Sequence, residues 1–173
     1  AVCPVGAPLA EGTLVATPGM PEADLIPSLL ALSDVMCTGW HAAVSAGVGP
    51  DTTVAVVGDG AVGLCAVLAA VQLGAPTVIA MSRHAARQQV AREFGATDIV
   101  AERDEVGMAA VRELTNGIGA DCVLECVGTE QARLQAIGCV RDGGNIGLVG
   151  VPHGDLPVND LFWRNVGIKG GPA

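Results

Sequence analysis

The run Gly58-Asp59-Gly60-Ala61-Val62-Gly63 has the residue types and spacing that cradle a diphosphate. Gly58 permits a tight turn, Gly60 lets a pyrophosphate reach the backbone, and Gly63 lets the following helix pack closely. Amides at the start of that helix, beginning at Ala61 and Val62, would face the anion with the positive end of the helix dipole behind them. A second signal lies after the next apolar run, where an Asp or Glu would accept from a ribose 2′-hydroxyl. The residues there are Ala80-Met81-Ser82-Arg83-His84, with Arg87 one turn on, and no acid stands among them. Ser82 can donate a hydrogen bond, and Arg83 offers a planar cationic fork suited to phosphate. In a chain of net charge −9, the gathering of Arg83, His84 and Arg87 predicts a 2′-phosphate site. NADP(H) is therefore expected ahead of NAD(H), the second choice; the plainer reading of Arg83 and Arg87 is a solvated helix start.

Such a turn works only between a strand and a helix, and the chain supplies both. Thr53 to Val57 is a continuous β-branched and apolar run, the mark of a strand covered on both faces. Strands are expected again at 77–81, 98–101, 121–127 and 145–150, with a sixth at 166–169. Helices are expected between them at 61–73, 85–94, 105–114 and 130–139. This alternation specifies an α/β fold: a doubly wound, parallel, six-stranded sheet (Rossmann fold) with helices on both faces. Upstream, apolar spacing predicts helix from Ser28 to Val48, with Ser33 and Asp34 placed to cap a second segment. The proline-rich start reads as loops with one short strand at 12–16.

Composition narrows the function further. Nine basic against eighteen acidic residues give no cationic face for nucleic acid or for an anionic membrane surface. No apolar run is long enough to span a bilayer. The six cysteines contain no C-x-x-C pair and lie mostly in apolar runs, which predicts buried thiols and a cytoplasmic protein.

Taken together, these motifs resemble the coenzyme-binding domain of the zinc-containing, medium-chain alcohol dehydrogenases. The resemblance runs from about Leu25 to Pro172. It rests on Leu32-Ser33-Asp34 through Thr38-Gly39, the glycine turn, Glu93-Phe94-Gly95-Ala96-Thr97-Asp98, Asp121 to Gly128, and Gly143-Gly144 leading to Val149-Gly150-Val151-Pro152. It implies that residues 1–27 are the tail of a preceding catalytic domain or linker and that 28–173 form the dinucleotide-binding domain. It also implies that Thr38 lies beside the nicotinamide and Val62 behind it. Val127 and Gly128 would border a ribose, and the Val149-Gly150-Val151 backbone would meet the carboxamide. In the family a zinc ligand, Cys in many members and Asp in a bacterial branch, stands four residues before this Thr, which makes Asp34 the candidate ligand. Cys37 and His41 fall off the ligand position and read as packing or pocket residues.

The implied reaction is hydride transfer between an alcohol and an aldehyde or ketone, with Asp34 and Thr38 as the catalytic candidates. The other usual zinc ligands belong to the family's preceding domain, so zinc is expected only in a full-length parent, not in this chain alone. A homo-oligomer formed through the nucleotide-binding domain is also implied. Two other readings stay open: a zinc-free quinone or enoyl reductase of the same superfamily, and a stand-alone nucleotide-binding module. A short-chain dehydrogenase is excluded, because its Tyr-x-x-x-Lys pair cannot exist in a chain without tyrosine.

Overall fold

Apolar strands of five or six residues, each followed by a helix, can bury both faces only by stacking side by side. The computed structural model, which describes residues 19–151 and 154–173, has that arrangement. The expected strand at 12–16, Cys3, and the Pro152-His153 part of a loop lie outside the described residues.

A short helix α1 (Ile26–Leu29) leads through a 3-10 turn (Leu30–Ser33) into α2 (Val35–Ala46). Alternation then begins: β1 (Thr53–Val57), α3 (Ala61–Gln72), β2 (Thr77–Met81), α4 (Ala85–Glu93) and β3 (Asp98–Val100). It continues with α5 (Asp104–Leu114), β4 (Ala120–Glu125), α6 (Glu130–Cys139), β5 (Val140–Leu148), α7 (Val158–Trp163) and β6 (Gly167–Gly170). All six strands are parallel, in the order β3-β2-β1-β4-β5-β6. The chain winds outward from β1 to β3, then crosses back to β4, so the order reverses between β1 and β4.

The core has two layers because successive strand residues point to opposite faces. Val54 and Val56 of β1 join Ala42, Ala46, Ala66 and Ala70 on one face. Ala55 and Val57 join Ile79, Val111, Ala136 and Ile146 on the other. No helix among the described residues is long and apolar enough to cross a membrane. Cys65, Cys122 and Cys139 are buried and Cys37 is exposed. Burial pushes the Cys122 thiol up to about 11, with the Asp121 charge adding to it, and the Cys139 thiol up to about 12.

The larger departures from the pattern in the sequence fall in β4, β5 and α7. The second helical segment expected after Ser33 and Asp34 is present as α2, and the stretch before it forms α1 and the 3-10 turn. Strand β4 stops at Glu125 instead of Val127, because the Glu125 carboxylate takes the next backbone amides. Strand β5 starts five residues earlier than expected; its register on β4 shifts between Ala120 and Cys122, and Gly143 adopts φ +71° there. Helix α7 has no counterpart in the sequence reading.

Candidate functional site

Parallel strands end on one edge of the sheet, so the loops after β1, β2, β4 and β5 share that edge. The glycine turn lies at the reversal point between β1 and β4, where open α/β sheets form a crevice. Gly58 adopts φ +118°, and a Cβ on it would come within 2.7 Å of Val127 Cγ2. A Cβ on Gly63 would strike the Gly58 carbonyl, so the first turn of α3 sits directly on the loop. Gly60 has open space above it and starts α3 in extended geometry. The Leu64 amide is bonded to the Gly60 carbonyl, so the amides of Ala61, Val62 and Gly63 precede the first intrahelical bond. That is a cradle for an anionic group, and a nicotinamide dinucleotide fits it.

At the end of β2, Ser82 is buried while Arg83 and His84 are exposed. The sequence lacks an acid at this place, yet the fold brings one. Asp59, from the glycine turn, accepts from Ser82 Oγ at 3.0 Å and from Arg87 Nη1 at 2.9 Å. Burial alone would raise the Asp59 carboxyl. Donation by Arg87 and Ser82, with the Arg87 charge, more than offsets this and holds it below the usual carboxylate value. The sequence signal was the acid between the first two glycines; only the adjacency of β1 and β2 shows where it points.

On the other side of the crevice, Glu125 at the end of β4 is fully buried. Its Oε1 accepts from the amides of Val127 and Gly128, both at 2.8 Å. Its backbone carbonyl accepts from the amides of Val149 and Gly150. The side-chain Oε2 has no hydrogen-bond partner among the described residues and lies against Gly150. Gly128, at φ +89°, lies against the Val151 amide so closely that any Cβ would collide. The carboxylate thus holds the 127–128 loop while the backbone carbonyl of the same residue holds Val149 and Gly150, and the role of this acid was missed in the sequence. Val127 and Val151 are 42 % and 73 % exposed, unlike the valines of β1, so they do not serve as ordinary strand packing.

Thr38 is carried by α2, which is clamped from two sides. A Cβ on Gly39 would come within 2.6 Å of the Ala66 amide of α3, and Gly147 of β5 abuts the Ala42 carbonyl. Asp34 stands at the start of α2 but makes no side-chain cap; its Oδ1 accepts from the Thr38 hydroxyl at 3.1 Å. The two catalytic candidates are therefore in contact. Among the described residues no three His, Cys, Asp or Glu side chains converge on a metal position. These residues do not by themselves fit a zinc ion. Met36, Cys37, Trp40, His41 and Val44 of α2, with Ala173, line an open apolar hollow of about 570 Å³.

Comparison with known proteins agrees with this geometry. A probable zinc-binding alcohol dehydrogenase of Mycobacterium tuberculosis is 40% identical over 149 residues, 82% of this chain and 38% of its own length. Sorbitol dehydrogenase of Bacillus subtilis is 36% identical over 144 residues, 80% of this chain and 41% of its own. Alcohol dehydrogenase TADH from Thermus sp. ATN1 superposes with a TM-score of 0.74 at 32% identity, covering 83% of this chain and 42% of that one. The chain thus spans about two fifths of the length of these relatives. With the zinc-binding dehydrogenase family model matched over residues 61–171 of the 173, the chain belongs to that family.

Proposed function

We propose that this chain is the nicotinamide-dinucleotide-binding part of a zinc-dependent alcohol dehydrogenase that takes NADP(H) in preference to NAD(H). Residues 28–173 form that part, and residues 1–27 end a preceding domain. The observation that carries the reading is the glycine turn at the reversal point of the sheet, open above Gly60 and followed at once by the free amides of α3.

The roles are those the family resemblance implies, and the shared sheet edge supports them. Amides of Ala61, Val62 and Gly63 hold the diphosphate. Ser82, Arg83, His84 and Arg87 surround the 2′ position of the adenine-side ribose, a reading supported by the exposure of Arg83 at the end of β2. Val127 and Gly128 border the ribose, and the Val149-Gly150-Val151 backbone meets the carboxamide. Val62 and Thr38 hold the nicotinamide ring between α3 and α2. The bound dinucleotide supplies or accepts the hydride. This chain's residues fix the ring and exclude water; Thr38, bonded to Asp34, sits where an alcohol or carbonyl substrate would approach.

Asp34 is one oxygen donor for zinc in the intact protein, where further ligands would come from outside the described residues. The protein works in the cytoplasm on small alcohols, aldehydes or ketones. It assembles with itself through this domain, a reading supported by exposed Val158, Phe162 and Trp163 beside the edge strand β6.

The nucleotide assignment is tested by titrating NADPH and NADH into the intact protein and its Arg83→Ala variant. Selective weakening of NADPH, about tenfold for a lost guanidinium–phosphate contact, is expected; equal affinity in both proteins rejects the NADP(H) preference. For zinc, Asp34→Ala is expected to lower the metal content of the purified intact protein. Unchanged zinc would leave Asp34 as a partner of the Thr38 hydroxyl alone.

A further inference from the structure

Asp59 is not needed for the shape of the glycine turn, since the three glycines provide the turn and the close approaches. Its carboxylate nevertheless leaves the turn and crosses to the end of β2. There it bonds Ser82 Oγ and Arg87 Nη1, and its side chain is 12% exposed against 49% for Arg87. In this fold the end of β2 is where the ribose 2′ position is read, and where an acid accepts the 2′-hydroxyl of NAD(H). Asp59 puts a carboxylate at that location from 23 positions upstream of Ser82.

The consequence is a balance of charge. Arg83 has no ion pair among the described residues, whereas Arg87 already has one with Asp59. Two guanidiniums less one carboxylate leave a single net positive charge for a 2′-phosphate. The carboxylate stays ionised at neutral pH because Arg87 and Ser82 bond its charged form. An ionised carboxylate has four acceptor sites, so Ser82 and Arg87 leave room for a ribose hydroxyl.

We propose that Asp59 is a specificity-determining residue that holds the preference for NADP(H) to a modest one, accepting the 2′-hydroxyl of NAD(H) and repelling a 2′-phosphate that Arg83 attracts. This rests on the nucleotide site proposed above. The experiment is calorimetric titration of the intact protein, wild type, Asp59→Asn and Arg83→Ala, with NADPH and NADH at one fixed ionic strength. Asn keeps the size of the side chain and removes its charge. Asp59→Asn is expected to raise the ratio of NADPH to NADH affinity about tenfold, through tighter NADPH and weaker NADH. An unchanged ratio overturns the proposal. So does loss of both nucleotides, which would make Asp59 a prop of the turn only. Arg83→Ala separates the two claims: if it leaves NADPH unaffected, the NADP(H) reading fails whatever Asp59→Asn does. If wild type binds neither nucleotide, both fall.

Discussion

Burying a carboxylate costs several kcal/mol unless donors meet it, and Glu125 has two backbone amides on one oxygen alone. Removing it leaves the Val127 and Gly128 amides without a partner. Glu125→Ala is therefore expected to lower stability by about 1–3 kcal/mol in urea unfolding. Glu125→Gln, which keeps an acceptor on those amides, should recover much of that loss. Nucleotide affinity should follow the same order, because the 127–128 loop whose amides the carboxylate takes lies along the crevice. At this scale the sequence was a good guide to which residues gather: the glycines, Ser82, Val127 and Gly128 all reach one sheet edge. It was a poor guide to acids. Glu125 fell inside a predicted strand, and Asp59, between two glycines, was given no role. A carboxylate's meaning depends on which donors the fold brings to it, and those donors are backbone amides or residues of another element.

Elements are positioned by close backbone contact more than by polar bonds. Helix α2 approaches α3 at Gly39 and β5 at Gly147, with no room for a methyl group at either place. Gly39→Ala is expected to lower stability by about 1–3 kcal/mol, since an added carbon in a packed interface forces backbone shifts. A thermal melt reads this directly, and Thr38, the preceding residue, should lose its placement with it. The strands and α3 to α6 were legible because both sheet faces are apolar and each helix buries one side. Helix α7 was not. Its Val158, Phe162 and Trp163 face outward and only Leu161 is buried, so no inward periodicity marks it. The early start of β5 was hidden by Gly143-Gly144, which reads as a helix stop but serves as an irregularity within the strand.

For the molecule as a whole, two acids tie distant parts of the sheet. Asp59 joins the glycine turn to β2 and α4. At the opposite edge, Asp121 takes the Thr53 amide at 2.8 Å and Arg141 Nε at 2.6 Å. Burial alone would raise the Asp121 carboxyl, but these donors hold it below its usual value. Both groups ionise at lower pH in the folded state than in the unfolded chain. Their contribution is thus complete above the ordinary carboxylate value of 3.8 and fades as pH falls through and below it. Acid titration of stability should show a decline below about pH 4 that is shallower in Asp121→Asn. At neutral pH that variant should lose about 1–2 kcal/mol, the partly exposed ion pair adding little.

The sequence by itself determined the parallel α/β architecture, the location of the glycine turn and the family, because periodicity and local turn chemistry are properties of neighbouring residues. Which acid reaches the end of β2, which one takes the Val127 and Gly128 amides, and that Asp34 bonds Thr38 instead of capping its helix were decided only by the tertiary structure. Those contacts depend on which strands lie side by side, and a carboxylate's partner is set by that adjacency.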